Sequence, residues 1–206
     1  MALNVISLTD LLRVSKEEDI KELLFSFVTL RSQDSLGAQD VEYFLHNKAI
    51  QFEKMDLART YLVMSSYKNR PILAGYFALA NKPLTIPNKH FNKLSSGLRK
   101  RLMGFGHKTQ QNNFVIQGFL LGQLGKNYSA EAIAARCLSG DELLQLAFKK
   151  VVEAYRVVGG RILYLECENV PKIIEFYNRN GFTLIEGFTS ENGYYMMVKR
   201  ISDLID

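Results

Sequence analysis

The sequence predicts an α/β fold, with a mixed central sheet of about six to seven strands flanked by helices. Apolar segments of strand length alternate with amphipathic helical segments along the 206 residues. A near-continuous apolar run at 161–167 is typical of a strand that is covered on both faces. A long amphipathic stretch at 141–157 precedes it, as a crossover helix between two parallel strands would.

The first third of the chain is predicted to open with a short strand at 4–8 and to continue as helices. Ser15 and Glu18 have the spacing of a capping box, which predicts a helix that begins at Ser15. A second helix is expected at 39–55, where apolar residues recur at helical spacing.

The remaining elements follow from apolar runs and from turn residues. Strands are predicted at 59–65 and 72–80, joined by a turn at Asn69-Arg70-Pro71, and a basic helix is predicted at 91–103. A third strong strand is predicted at 114–126, and 127–140 is predicted to be partly loop. The expected elements after it are a helix at 141–157, a strand at 161–167, a helix at 171–177 and an antiparallel pair at 182–185 and 194–198.

Length and composition are those of an ordinary globular protein. Hydrophobic residues make up 47% and charged residues 23% of the chain, which excludes collagen-like and wholly disordered classes. We expect a single domain over 1–206, with a helical N-terminal segment at 1–56 and the core at 57–200. No apolar run approaches the roughly 18 residues of a membrane span, and no secretory signal is seen, so the expected location is the cytoplasm.

Charge is placed unevenly along the chain. The net charge is +5, yet no Asp or Glu occurs from Leu57 to Ala130, a stretch that carries eleven Lys or Arg residues. This asymmetry indicates either an anionic partner or simply a solvated basic face.

The segment from Phe114 to Val157 reads as strand, loop and helix. A helix that opens at Ser139-Gly140-Asp141 presents backbone N–H groups and a partial positive charge, which together can hold a diphosphate. A glycine at Gly140 permits close approach of the backbone to a ligand. The segment has neither the GK[ST] of a Walker loop nor a GxGxxG pattern, which argues against a dinucleotide site.

A second motif lies downstream, in FYNRNGF at 176–182, with Asn169 before it. With LLGQLGKN at 121–127 and the hairpin at 59–80, it resembles the GNAT family of acyl-CoA N-acyltransferases. The matching positions are Asn169, Phe176-Tyr177 and Gly181-Phe182, and the resemblance covers roughly residues 61–198.

The resemblance implies acetyl-CoA as the acyl donor and no metal. Members of the family splay two parallel strands apart, so that the pantetheine arm bonds to free main-chain groups between them. The residues expected in that role are Leu124, Gly125 and Lys126. The diphosphate is then expected on N–H groups from about Arg136 to Asp141, with a charge-assisted bond from Arg136. The implied donor-binding set is Leu124, Gly125, Lys126, Arg136, Ser139, Gly140, Asp141, Asn169 and Tyr177.

The loop before the helix departs from the family pattern. That pattern reads [QR]-x-x-G-x-[GA], whereas Ala135 and Leu138 replace its first residue and its first glycine, and only Gly140 matches. The loop is also about four residues longer than is typical of the family. Donor binding is therefore expected to be weaker or differently shaped, and a non-catalytic member is an alternative.

Tyr177 matches the family tyrosine near the sulfur and is the candidate general acid. The polarising group for the thioester carbonyl is expected to be a backbone N–H near Leu124. No general base stands out: Glu166 and Glu168 are the nearest carboxylates in sequence, and a water chain or an already neutral amine would also suffice.

Three functions remain open at this point. The first is an N-acetyltransferase that acts on a small-molecule or peptide amine by direct attack. The second is an aminoacyl-tRNA-acetylating enzyme that resembles the toxin branch of the family, for which the acid-free stretch and Arg99-Lys100-Arg101 argue. The third is a regulatory binding protein without turnover. Homodimers are common in the family, so a dimer is a candidate assembly.

Overall fold

The computed structural model describes residues 3–30, 36–104, 106–190 and 192–205. The chain divides into two compact units. One unit comprises Met1–Ala80 and Gly122–Ala147, and the other comprises Asn81–Leu121 and Phe148–Asp206. The prediction of a single domain over 1–206 stays a prediction.

The strands, in chain order, form one large and one small sheet. They are β1 (Asn4–Ser7), β2 (Arg59–Tyr67), β3 (Arg70–Asn81), β4 (Leu84–Ile86), β5 (Gly106–Lys108), β6 (Phe114–Ile116), β7 (Gly118–Lys126), β8 (Ile162–Cys167), β9 (Thr183–Thr189) and β10 (Tyr195–Arg200). The large sheet has seven strands in the order β1-β2-β3-β7-β8-β10-β9, and the small sheet has three in the order β4-β6-β5. The predicted α/β class and the strand number of its central sheet are therefore confirmed.

The helices are α1 (Leu8–Val14), α2 (Glu17–Phe25), α3 (Leu36–Tyr43), α4 (Ala49–Lys54), α5 (Asn88–Phe91), α6 (Ser96–Met103), α7 (Ala130–Ala135), α8 (Gly140–Val158) and α9 (Pro171–Arg179). A π-helical turn, Phe44–Lys48, connects α3 to α4, so that the helix predicted at 39–55 exists with a change of winding inside it. A 3₁₀ turn, Ile201–Leu204, follows β10.

The large sheet is mixed because one of its strand pairs is parallel. β7 and β8 run parallel with the register Gly118–Ile162, Phe119–Leu163 and Leu120–Tyr164, and α8 lies between them in the chain. Antiparallel pairing joins β1 to β2, β2 to β3, and β10 to both β8 and β9. After these three residue pairs, β7 continues to Lys126 and β8 continues to Cys167.

The capping box predicted at Ser15 is wrong. Ser15 is the C-cap of α1, and its N–H donates to the Leu11 carbonyl at 2.9 Å. A capping box needs the N–H of its first residue for the glutamate, and here that N–H is already bonded. The next helix, α2, begins at Glu17 after Lys16, which makes no side-chain cap.

The hairpin turn begins one residue before its predicted place. Lys68 and Asn69 form it, with φ angles of 49° and 61°. Two consecutive left-handed residues match the right-handed twist of a two-residue hairpin loop. Arg70 and Pro71, predicted to be in the turn, instead belong to β3 and pair with Tyr67 and Ser66.

Three further elements differ from their predicted extents. The segment predicted as one helix at 91–103 contains the last residue of α5, Phe91, and the whole of α6, because the Ser95 hydroxyl caps a new start by accepting the Leu98 N–H. The strand predicted at 114–126 is broken at Gln117, so that β6 joins the small sheet and β7 the large one. The segment predicted to be partly loop contains α7, whose first N–H groups are capped by Ser129.

Each unit has its own apolar core. In the first unit the core includes Leu8, Leu24, Phe27, Leu62 and Tyr76, all with at most 2% of their surface exposed. In the second unit the small sheet buries alternate residues, namely Leu84, Ile86, Phe114 and Ile116, as expected of a sheet with one face in the core. In the described part of the chain, no helix is both long enough and apolar enough to span a bilayer.

Candidate active site

The first unit contains an open cavity of about 470 Å³ at the end of β7. Two cationic side chains and one carboxylate line it. Its lining residues are Lys126, Tyr128, Ile133, Arg136, Leu138, Ser139 and Glu142. The Lys126 ammonium also lies 5.4 Å from the centre of the Tyr128 ring, a cation–π distance. The cavity therefore combines positive charge with apolar walls.

Local chemistry fixes the loop between α7 and α8. The Ser129 hydroxyl starts α7 by accepting the Ala132 N–H at 3.4 Å. Arg136 ends α7 in a left-handed conformation, with φ 45° and ψ 35°. Such a C-cap turns the chain sharply, and it leaves the exposed Arg136 side chain at the cavity.

The main-chain N–H groups at 136–141, expected to hold a diphosphate, are only partly available. The Arg136 N–H donates to the Ala132 carbonyl at 3.3 Å, and the Ser139 N–H donates to the Glu142 carboxylate at 2.7 Å. Cys137 and Leu138 donate their N–H groups to no acceptor within the described residues. Of these two residues, Leu138 lines the cavity, together with the cationic side chains of Lys126 and Arg136.

Leu138, which replaces a family glycine, packs down onto the sheet. It is buried, with 3% of its surface exposed. A Cβ placed on Gly75 of β3 would lie 2.9 Å from its Cδ2 atom. The Leu138 side chain thus occupies space that a glycine in β3 leaves open.

Gly125 leaves room for apolar side chains of the first unit. A Cβ at this position would lie 2.6 Å from Val41 and 2.8 Å from Phe27. The main-chain roles expected of Leu124, Gly125 and Lys126 at the end of β7 stay predictions.

Asn127, which directly follows β7, is a buried polar residue, and both polar atoms of its side chain form hydrogen bonds. Its amide donates to the carbonyls of Leu73 at 2.7 Å and Ser26 at 3.2 Å. Its carbonyl oxygen accepts the N–H groups of Val28 at 3.0 Å and Ser129 at 2.9 Å. Asn127 therefore fixes the end of β7 and the start of α7, which carry the cavity.

In the second unit, Tyr177 lies on α9 with a half-buried side chain. Its ring makes edge contacts with Phe176 and Phe182, at centroid distances of 5.0 and 5.5 Å. Its hydroxyl bonds to no residue in the described part of the chain. Burial raises the pKa of Tyr177 above its ordinary value, and the nearby Cys167 adds to the rise. The phenol therefore keeps its proton at neutral pH.

The FY…GF motif has a structural basis in the turn after α9. The N–H groups of Asn180 and Phe182 both donate to the Tyr177 carbonyl, and Gly181 takes a φ of 83°. A left-handed residue at this point requires glycine for an unstrained turn. Asn169 lies in an exposed turn before α9, where the Val170 N–H donates to the Glu168 carbonyl at 2.8 Å.

Cys167 is a buried thiol, with 7% of its surface exposed. Burial, with a further contribution from Glu168, raises the pKa of Cys167 to about 11. A thiol with a raised pKa is a poor nucleophile at neutral pH because little of it is thiolate. Cys137 is half-buried.

The described residues do not single out a general base. Glu166 is exposed on β8. The burial of Tyr164 raises the pKa of its phenol, and the charge of Glu166 adds to the rise. The three histidines lie elsewhere: His46 bonds to the Phe27 carbonyl, His90 contacts Phe188, and His107 is exposed on β5. Among the described residues, no cluster of His, Cys, Asp or Glu has the make-up of a metal site.

The acid-free stretch contributes exposed cations to the second unit. Its exposed lysines are Lys82, Lys89, Lys93, Lys100 and Lys108. None of the five forms an ion pair with a described residue. We call these residues the lysine surface. Arg99 is half-buried on α6 and Lys100 is exposed, while the side chain of Arg101 lies outside the described residues.

Two features at the cavity were not predicted from the sequence, namely the roles of Asn127 and Glu142. The Ser139-x-x-Glu142 spacing is that of a capping box and would have predicted the second. No sequence signal distinguishes a buried Asn127 from an asparagine in an exposed loop, since both follow a strand.

No protein-family model and no curated protein matches this chain. Solved structures do match it. A mutant of KacT superposes with a TM-score of 0.62 and 17% identity, over 100% of this chain and 98% of that chain. AtaT complexed with acetyl-methionyl-tRNAfMet gives a TM-score of 0.61 and 17% identity, over 99% and 98%. AtaTR bound with AcCoA gives 0.57 and 18% identity, over 98% and 96%. These proteins have the GNAT fold, and the likeness shows that this chain shares it.

Proposed function

We propose that this protein transfers an acetyl group from acetyl-CoA to a primary amine. The observation that carries the proposal is the cationic cavity at the end of β7, in a chain that shares the GNAT fold over its whole length. A solved structure of the same fold is bound with AcCoA. The cavity offers Lys126 and Arg136 to the donor's phosphates, together with the amide of Leu138.

The reaction proposed is direct attack of the amine on the thioester carbon. The new C–N bond forms, the C–S bond breaks, and the CoA thiolate takes up a proton as it leaves. Tyr177 is proposed to supply that proton, since its pKa is raised and its hydroxyl is bonded to no described residue. An acyl-cysteine intermediate is not favoured, because the raised pKa of Cys167 keeps it a thiol.

The amine must lose a proton as well. With no base singled out among the described residues, we propose that a water chain takes it or that the amine binds in its neutral form. A small-molecule or peptide amine, a cytoplasmic location and a homodimer stay part of this proposal.

The test is acetyl-CoA-dependent acetylation with Tyr177→Phe. Wild type is expected to release thiol from acetyl-CoA in step with acetylation of an amine, detected by mass spectrometry. Tyr177→Phe should lower kcat by about 10²- to 10⁴-fold, with little change in the Kd for CoA. Tyr155→Phe, a half-buried tyrosine on α8, is the matched control. Equal activity of the Tyr177 variant and wild type would remove Tyr177 from the mechanism.

A second candidate acceptor is aminoacyl-tRNA. The observation in its favour is the lysine surface, whose members lie in a stretch without a single carboxylate. AtaT, which shares the fold, is known in a complex with acetyl-methionyl-tRNAfMet. Phosphate contacts need exposed cations that are not paired with carboxylates, and all five lysines meet that condition among the described residues.

Salt dependence separates the two acceptors. If tRNA is the acceptor, log K for tRNA binding should fall steeply with log salt, with a slope of about 0.7 to 0.9 per phosphate contact. Lys89→Glu should weaken tRNA binding, whereas Lys149→Glu on α8 makes the same charge change outside the lysine surface and is the control. Acetylation of a free amine with no salt-sensitive tRNA binding would favour the small-molecule or peptide acceptor.

A further inference from the structure

Ser139 and Glu142 form a reciprocal pair at the start of α8. The Ser139 N–H donates to the Glu142 carboxylate at 2.7 Å, and the Ser139 hydroxyl accepts the Glu142 N–H at 3.1 Å. Hydrogen bonding to Ser139, through its side chain and its main-chain N–H, lowers the pKa of the Glu142 carboxyl, and the Lys126 ammonium lowers it further. The carboxylate is therefore ionised, and an amide at the helix N-terminus holds it in place.

The position of this carboxylate matters because it lies at the cavity. Glu142 lines the same space as Lys126 and Arg136. The Glu142 carboxylate resembles a bound phosphate in two respects. It places a negative charge on an amide at a helix N-terminus, and it does so close to Lys126. A phosphate that enters the cavity meets a group of its own charge, already bonded to one of the amides that it needs.

The alternative interpretation is that Ser139 and Glu142 form a capping box that only stabilises α8. The two interpretations differ in what they predict for ligands. If Glu142 only caps the helix, removal of its charge leaves the affinity for the donor unchanged. A competing carboxylate lowers the affinity for ligands with phosphates and leaves ligands without them unaffected.

We propose that Glu142 competes with the donor's diphosphate for the Ser139 amide and so weakens the selection of CoA over pantetheine. The inference rests on the proposed function, since it assumes that the donor's phosphates enter this cavity. It assigns to Glu142 a specificity-determining role, in which the side chain must leave the Ser139 N–H as the donor binds.

The test measures the Kd of CoA and of pantetheine by calorimetry, in wild type, Glu142→Gln and Glu142→Ala. Gln retains an oxygen for the Ser139 N–H and removes the charge, whereas Ala removes both. Glu142→Gln should tighten CoA binding by about three- to tenfold, with pantetheine unchanged. Glu142→Ala should tighten CoA at least as much, and it serves as the test if Glu142→Gln does not fold.

The control is Glu131→Gln, which removes an equal charge from an exposed site in the first turn of α7, outside the cavity lining. It should leave both Kd values unchanged. Tighter CoA binding in this control as well would assign the effect to net charge and overturn the inference.

The remaining outcomes separate the inference from the proposed function. If wild type binds CoA and Glu142→Gln binds it no more tightly, the inference fails and the donor assignment stands. If Glu142→Gln tightens pantetheine as much as CoA, competition with phosphate is wrong. If wild type and both variants bind neither ligand at millimolar concentration, the proposed function fails, and the inference fails with it.

Discussion

Leu138 occupies the space that the missing side chain of Gly75 leaves on β3. A Cβ at Gly75 would lie 2.9 Å from Leu138 Cδ2 and 2.8 Å from the Gly125 carbonyl oxygen. Leu138 stands where the family pattern has a glycine, and it is accommodated by a glycine on the neighbouring strand. The departure from the pattern therefore has a packing partner and does not fill the cavity.

The first prediction is that Gly75→Ala destabilises the fold. The new methyl group would press on a backbone carbonyl, which cannot move aside as a flexible side chain can. Overpacking of this kind costs about 1 to 3 kcal/mol of unfolding free energy, measured by urea denaturation. Gly97→Ala on α6, where a Cβ meets nothing within 4 Å, should cause no loss. Equal stability of the Gly75 variant and wild type would contradict the packing described here.

The second prediction concerns Asn127. Asn127→Asp replaces an amide that donates to the Leu73 and Ser26 carbonyls with a carboxylate that repels them. A buried charge facing carbonyl oxygens should cost about 3 kcal/mol or more of unfolding free energy. The control is Asn47→Asp, since the Asn47 side chain is exposed and makes one bond, to the Tyr43 carbonyl at 3.0 Å. Similar losses in the two variants would argue against a special role for Asn127.

The third prediction compares the two cysteines. With a pKa of about 11, Cys167 should be thiolate in about one molecule in a thousand at pH 8. Its alkylation should be slow at that pH and should speed up about tenfold for each pH unit up to 11. Iodoacetamide labelling of Cys137→Ser and Cys167→Ser, followed by mass spectrometry, reports each thiol separately. Fast labelling of native Cys137→Ser at pH 7 would contradict the raised pKa.

The fourth prediction is the pH dependence of acetyl transfer. A general acid works only in its protonated form, and a raised pKa extends that form to higher pH. The loss of kcat due to ionisation of Tyr177 should therefore begin only above the ordinary tyrosine value of about 10. The kcat should be measured from pH 6 to pH 10 for wild type and Tyr177→Phe. A basic limb centred near pH 8 that vanishes in the variant would refute this assignment.

The fifth prediction uses the two Ser-x-x-Glu patterns in the chain. Ser139→Ala removes a hydroxyl that accepts a helix N–H, and should cost about 1 kcal/mol of unfolding free energy. Ser15→Ala removes a hydroxyl that makes no such cap, and should cost close to nothing. Thermal or urea unfolding of both variants measures the difference. A larger loss at Ser15 would reverse the assignment of the two caps.

This pair also shows how far a local pattern predicts structure. Both serines have a glutamate three residues later, and the capping box predicted at Ser15 is wrong. The N–H of Ser15 is taken by Leu11 at the end of α1, whereas the N–H of Ser139 follows a loop and is free for Glu142. The pattern is local, but the competing acceptor belongs to the preceding helix.

The sheet was more predictable than the breaks within it. The α/β class and the seven strands follow from apolar runs, which report burial directly. The break at Gln117 does not, because β6 and β7 are both apolar and differ only in the sheet to which they bond. Hydrogen-bond partners far along the chain decide such a division.

At the candidate site, the structure shows the surroundings of the predicted residues. Tyr177 and Arg136 were expected from the family resemblance, and their donor-binding and catalytic roles stay predictions. The main-chain role expected of Gly125 also stays a prediction, and its missing side chain makes room for Phe27 and Val41. A glycine in a sequence indicates that another group comes close to its backbone. Only the three-dimensional structure shows which group that is.

Asn127 has a consequence for how the first unit opens. One side chain accepts the N–H groups of Val28 and Ser129, and its own backbone N–H donates to the Ala74 carbonyl at 2.8 Å. Because one residue bonds to all of these segments, the release of any one of them would leave buried polar groups of the others without their hydrogen-bond partners. The amides of Val28, Asn127 and Ser129 should therefore exchange their hydrogens for deuterium as one group, at one shared opening free energy, although 99 residues separate Val28 from Asn127.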